Sequence, residues 1–491
     1  MQYTYRDCWN LTGPPVVSDV VTDMLGTYWG CNKITGSPVF SNAATVVAYA
    51  YAGCSNLTGE AIIPPNITNI AGLYYECSNL TGNFTCPDNI IYFNGTFSGC
   101  SNMTGSPVCG NNVVNFAATY NACSNLTGSP VCGNKVTSME ATYMDCINLT
   151  GSPIIGPKVQ DIIYTYRNCS NLTGSPICTD SITDMSGAYY GCVNLTNSPV
   201  CGNNVVSMNL AYVNCTNLTG SPVIGPKVTS CYNTYQYCIG LSGSPVCGPL
   251  VNDFEGAYVG CTGLTGAPVC GPFVKEFDKT YIDCIGLTGS PVCGDMVQHM
   301  TETYKNCTGL TGSPVSGPSV QTMHKTYENC TNLTGGFNCG NKVIYMVDTF
   351  LNCTNLNGPI SIGPSVVNMK GTFKNCVNLK GDITLYSNHI NDLNECFMGR
   401  NVVEPLNIYV PSNSETYNTI LNSNTQLTDI VLEWTANSTY NCFSNNIYNI
   451  NIYPIENLAT IEENIPSDIG DVNNESSTNE DYPIADMLEG L

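Results

Sequence analysis

The chain has 491 residues with 15 basic and 37 acidic side chains, a formal charge of -22 and 43% hydrophobic residues. Such a balance repels nucleic acid and anionic membrane surfaces, so neither is an expected partner. No stretch of 18 apolar residues is present to cross a bilayer, so membrane insertion is not expected either.

The chain enters a repeat at once. Cys8, Cys31, Cys54, Cys77, Cys100 and their successors to Cys376 recur every 23 residues without an insertion. A fixed period of that length marks a solenoid, in which each coil buries its apolar side only by stacking on its neighbours. Three residues before each of these ladder cysteines stands an aromatic (Tyr5, Tyr28, Tyr51, Tyr74, Phe97, on to Phe373), and three after it an aliphatic (Leu11, Ile34, Leu57, Leu80, Met103). Thirteen after come Val113, Val136 and Val159, and sixteen after come Met24, Val47, Ile70, Phe93 and Met139. Exchange within an apolar class at constant spacing is what burial requires, and these columns are the expected core.

Two columns concern the backbone. Two residues after the cysteine stands Asn (Asn10, Asn56, Asn125) or Gly (Gly240, Gly263, Gly286, Gly309), with Lys33 as an awkward occupant. Asn and Gly exchange where φ is positive, so a left-handed turn is expected there. Five after the cysteine Gly is constant except at Asn197, which predicts a second turn or a close backbone approach. The coil therefore reads as turn, short strand, turn and a tight irregular convex segment.

These residues resemble the BspA-type leucine-rich repeat, as in the stretch TYNACSNLTGSPVCGNKVTSMEATYMDC, where aromatic, Cys, Leu, Val and Met positions all fall in register over about residues 1–400. The resemblance implies a leucine-rich-repeat solenoid of about 17 coils, each with a short parallel strand. It further implies adhesion and recognition at cell or particle surfaces, without catalytic residues. The departure is Pro seven after the cysteine (Pro107, Pro130, Pro153), which removes a ladder hydrogen bond and shortens or interrupts the strand.

Of the 29 cysteines, several outside the ladder, including Cys86, Cys109, Cys132 and Cys178, lie nine after it, where other coils carry Val17, Phe40 or Ile63. A site shared with Phe and Ile is a buried apolar one, so reduced thiols are expected in preference to disulfides or a metal. Asn-x-Thr triplets such as Asn56-Leu57-Thr58 follow from the turn, core and Thr columns, which favours a structural origin over dense glycosylation.

The expected ligand face is the strand side, taken to alternate with the seventh and ninth positions inward and the sixth and eighth outward. It comprises Thr104, Ser106, Val108, Thr127, Ser129, Val131, Thr150, Ser152, Thr173 and Ser175. So uniform a face suits a long repetitive ligand such as a polysaccharide, or a bare spacer, and its Thr array also permits an ice-binding reading. His299, His324 and His389 do not share a column, and Glu140, Asp145, Glu255 and Glu302 look scattered over convex positions, so no catalytic triple, metal site or cofactor is expected. Two acidic side chains converging on one strand face would instead have pointed to a polysaccharide hydrolase.

After Cys376 the register slips, and Ile390, Leu393 and Phe397 repeat the spacing one residue late. Residues 401–461, with strand-like runs at Leu406 to Val410, Ile430 to Trp434 and Ile447 to Tyr453, are expected to form a small β-containing cap, with oligomerisation as its sharper role. Residues 462–491 form an acidic tail of disordered composition. Within it Ile484, Met487, Leu488 and Leu491 make an apolar stripe over 481–491, a candidate helix for docking into a partner.

The expectation that follows is a non-enzymatic recognition or adhesion rod on the outside of a virus particle. It would bind host-cell surface glycan or protein and join other virion structural proteins through its C-terminal region. With Tyr5 and Cys8 already in the repeat there is no room for a signal peptide, which is what favours the virion. The alternatives are a cell-surface or secreted adhesin and a structural spacer or decoration protein without ligand.

Overall fold

The computed structural model describes residues 1–400, 404, 406–411, 414–416, 419 and, for the backbone, 450–455. Met1–Glu456 is one compact unit; the other, Asn457–Leu491, lies outside the described residues, as do the predicted run at 430–434 and the stripe Ile484, Met487, Leu488 and Leu491.

The predicted core columns are buried. Leu195, Val205, Met208, Tyr212 and Cys215, from one coil and the start of the next, each expose 0% of their surface. The ladder aromatics form one continuous stack from Tyr5 to Phe397, successive rings lying 5.2 to 6.1 Å apart and nearly parallel. The late-register reading at the end holds too, because Ile390, Leu393 and Phe397 are buried and Phe397 stacks on Phe373.

The segment expected to be irregular is the most regular part of the coil. In residues 185–192 every second amide reaches the next coil: Met185, Gly187, Tyr189 and Gly191 donate to the carbonyls of Ser207, Asn209, Ala211 and Val213 at 2.7 to 3.2 Å. The intervening amides close tight turns within the coil, Ala188 onto Met185, Tyr190 onto Gly187 and Cys192 onto Tyr189. This turn ribbon requires two left-handed residues per coil, five and one before the cysteine, as at Gly187 (φ 59°) and Gly191 (φ 72°). Tyr164, Leu210 and Lys279 also hold positive φ there, a strain tolerated because the surrounding hydrogen bonds over-determine it.

The Asn/Gly column two after the cysteine is not left-handed, contrary to expectation. Gly240, Gly263, Gly286 and Gly309 lack positive φ; a Cβ at Gly286 would lie 2.5 Å from the Leu264 carbonyl oxygen of the preceding coil, so Gly is required by backbone proximity. Where Asn occupies the column its amide reaches back along the axis, Asn102 to Asn79 at 3.2 Å, and Lys33 fits because its ammonium donates to Asn10 at 3.1 Å. The Gly five after the cysteine does turn left-handed except at Gly358, with Gly128 at φ 87° and Asn197 at 67°. It also lies under the Ser of the coil before, a Cβ on Gly128 meeting Ser106 Oγ at 2.3 Å.

One strand per coil is not what forms. Among the described residues parallel strands appear only near the end: β1 (Phe337–Asn338), β2 (Ile360–Ile362), β3 (Gly381–Leu385), β4 (Leu406–Pro411) and β5 (Ile450–Ile455), paired in that order in one sheet. The sheet runs across the expected domain boundary at residue 400, since β4 continues β3 in parallel. In the Pro-bearing coils the Pro blocks the ladder and the tyrosine hydroxyl takes its place. Ile177 N–H donates to Tyr189 Oη at 3.0 Å, and that hydroxyl donates back to the Ile177 carbonyl at 2.6 Å. Every coil with Pro seven after its cysteine is followed by Tyr in the aromatic column, whereas Phe97, Phe350, Phe373 and Phe397 follow coils with Phe84, Phe337, Ile360 and Ile383 in the Pro position. Without the Pro a strand can pair, or an aromatic can pack edge-on against the ring, as Phe337 does on Phe350 at 5.0 Å.

Tyr189→Phe removes the partner of both backbone groups of Ile177, at a cost of about 1–3 kcal/mol. Hydrogen exchange should therefore accelerate at residues 175–179, with little change five coils away, and uniform protection would contradict the role given to the hydroxyl.

Candidate functional site

The expected ligand face divides. Thr104, Thr127, Thr150 and Thr173 are exposed, as are Ser106, Ser129, Ser152 and Ser175. The Thr hydroxyls turn back to the backbone, Thr127 Oγ1 donating to Gly105 at 3.3 Å and Thr150 and Thr173 to Gly128 and Gly151 at 3.2 Å. Val108 and Val131 were expected to point outward; both are half-buried, and Val108 packs against the core. The alternation fades because the tyrosine hydroxyl bonds the backbone of this residue from the inside. Cys109, Cys132 and Cys178, expected to be buried, are also half-buried at the edge of the core.

The ladder cysteines are free thiols with a specific task. Cys192 Sγ donates to the carbonyl of Tyr166, one coil back, at 2.9 Å, and Cys215 to that of Tyr189 at 3.0 Å, a bond repeated along the stack. A second column does the same and escaped the sequence reading: the buried Thr four before the cysteine. Thr165 Oγ1 donates to Met139 at 2.7 Å and Thr349 Oγ1 to Met323 at 2.7 Å. Its signal was present, since Thr27, Thr96, Thr119 and Thr142 recur at the 23-residue period, but a hydroxyl column reads as surface when only hydropathy is considered.

The carboxylates are not scattered as expected. The turn ribbon gathers Glu140 with Asp161 and Asp184, and Glu255 with Asp253, Glu276 and Asp278. Burial first, and then neighbouring charge, raises the pKa of Glu140 and Glu255 above the ordinary range. These groups lie fifteen and seventeen after the cysteine, not on the Pro-bearing segment where a hydrolytic pair was looked for. His299 hydrogen-bonds Thr322 Oγ1 at 2.8 Å.

The surface is concave along a different pair of columns. A shallow groove of about 620 Å³ runs over five coils between the residues twelve and fourteen after the cysteine, lined by Thr137, Lys158, Gln160, Thr183, Val206 and Lys227 among others. The same columns continue into a stretch of about 360 Å³ lined by Thr229, Leu250, Asn252, Phe273, Lys275 and Met296. Sequence reading missed this line because its occupants vary from coil to coil and form no column of one chemistry.

No family model matches the chain, and no curated protein matches it. Among solved structures it is similar to a leucine-rich repeat protein from Bacteroides ovatus, with 18% identity, a TM-score of 0.40, and coverage of 76% of this chain and 86% of that one. The stacked Leu column, the constant coil length and the parallel pairing of successive coils define this chain as a repeat solenoid of leucine-rich-repeat type. No helix among the described residues is long and apolar enough to cross a membrane.

Burial raises the thiols nine after the ladder cysteine, Cys86 and Cys132 to about 11 and Cys109 to about 12. An unfolded chain ionises its thiols from about 8.5. The stability from these thiols is therefore complete below that value and lost as pH rises from it toward 11 to 12. The melting temperature should be flat from pH 6 to 8 and fall steeply above pH 9, and alkylation of the native chain at pH 8 should find Cys8 and spare Cys109 and Cys132. Equal labelling of all three would contradict the account.

Proposed function

We propose that the protein is a non-enzymatic recognition and adhesion rod, of the BspA-type kind, that binds glycan or protein on a cell surface. The observation that carries this reading is the in-register repetition of exposed groups: Thr127, Thr150 and Thr173, with Ser129, Ser152 and Ser175, return once per coil on a rigidly stacked core. A surface that repeats at about 4.8 Å per coil matches an extended, repetitive ligand better than a compact one. Rigidity adds to this, since a preorganised rod loses little freedom on binding. An exterior place on a virus particle, with attachment through the C-terminal region, goes with this reading, and a cell-envelope adhesin is its alternative.

The full chain, fluorescently labelled, should bind glycan-bearing cells and lose that binding after the cells are stripped of surface glycan and protein. Absence of binding to every cell and glycan tested would overturn recognition and leave the spacer. Immunogold labelling with an antibody to residues 1–400 separates the locations, label on free particles supporting the virion and label on cell envelopes alone the adhesin.

A further inference from the structure

We infer that the ligand path is the groove twelve and fourteen residues after the ladder cysteine, and that its ligand is an anionic polysaccharide lying along the solenoid axis. The inference rests on the recognition reading and specifies its site and ligand class.

Charge segregation is the first ground. The chain carries 37 acidic against 15 basic residues, yet Lys135, Lys158, Lys227 and Lys275 all fall in these two columns. All four are exposed, and among the described residues none is in an ion pair. Lys135 and Lys227 rest their ammonium groups on the neutral amides of Asn112 and Asn204, both at 2.6 Å, which positions the charge without neutralising it. Asp180, which lines the groove, turns its carboxylate to the Asn203 N–H at 3.0 Å. In the adjacent row the half-buried Asp161, Asp184 and Asp253 accept from Ser138, Ser186 and Ser230, and Glu276 is exposed.

Shape and polarity are the second ground. The two stretches follow one another along the same columns from the coil of Thr137 to that of Met296, Lys227 closing the first and Thr229, on the same coil, opening the second. Seven coil steps at about 4.8 Å give a path of roughly 34 Å. At one end Leu250, Phe273 and Met296 follow one another on successive coils, exposed at 46%, 50% and 40%. Lysines spaced along a line that ends in an exposed apolar run suit a sugar chain, which carries acidic substituents at its edge and C–H groups on its ring faces. Thr137, Gln160, Thr183 and Asn252 add hydroxyl and amide partners between the charges. Because the charges are exposed, attraction will be salt-dependent.

The test is binding of the full chain to immobilised alginate (carboxylate), dextran sulfate (sulfate) and dextran (neutral), at low and physiological salt. Binding to one or both polyanions and not to dextran is expected, weakening with salt and reduced tenfold or more by the combined change Lys158→Gln, Lys227→Gln and Lys275→Gln. Phe273→Ala should weaken it separately. All these side chains are exposed, so melting temperatures should stay at the native value and report folding directly. Equal affinity of the lysine variant, or binding to dextran alone, would overturn the groove assignment while leaving recognition standing. Failure to bind any of the three polysaccharides, with cell binding retained, would replace the glycan by a protein ligand. Loss of both would overturn the recognition reading itself.

Discussion

The solenoid depends on a hydrogen bond donated by a buried side chain of one coil to a backbone carbonyl of the coil before. In the turn ribbon the carbonyls of the aromatic and Met columns already accept an amide three residues on, and their second lone pair faces an interior closed to water. Leaving such groups under-satisfied in an apolar core is costly. Thiol and hydroxyl fit because both are small enough for the core and carry one rotatable donor. That explains why the cysteine column scarcely varies although its members form no disulfide, and why buried threonines lie four residues before it. At the last coil Arg400 stands three after Phe397 where the ladder cysteine would fall, and its guanidinium donates to a different carbonyl of the coil before, that of Leu379, at 2.6 Å.

With cohesion placed in the turn ribbon, the Pro-bearing side is relieved of strand pairing. Tyrosine hydroxyls bond its backbone from within, and the aromatic stack that carries them runs the length of the coil array. The same chemistry explains where strands return, since Phe in the aromatic column and a non-Pro residue thirteen or fourteen before it occur together at β1, β2 and β3. The Pro segment and the turn ribbon are thus both fixed by internal bonding. The residues free to vary are those on the turn between the Pro segment and the ribbon, where the groove lies.

Much of this was legible in the sequence because the repeat compares the chain with itself. Period, core columns, late final coil and reduced thiols follow from which residues exchange at each place. Three features were not legible, for physical reasons. Asn and Gly share a column for two unrelated causes, an axial amide ladder and a bare backbone contact, so their exchange imitated a positive φ. The real left-handed sites accept Tyr, Leu, Lys and Asp because strain is absorbed by hydrogen bonding, and composition therefore gave no sign of them. The groove was hidden because its chemistry is assembled from one lysine here and one phenylalanine there, on coils whose spacing only the stack supplies.

The central claim, that buried thiols hold successive coils together by donating to backbone carbonyls, is testable by infrared spectroscopy of the S–H stretching band, which lies apart from other protein absorption. The account requires the main S–H band of the native chain to be shifted to low frequency, as in a hydrogen-bonded thiol, and to move to the free-thiol position on unfolding. A native band already at the free-thiol position, or no S–H band in a chain prepared under reducing conditions, would contradict it.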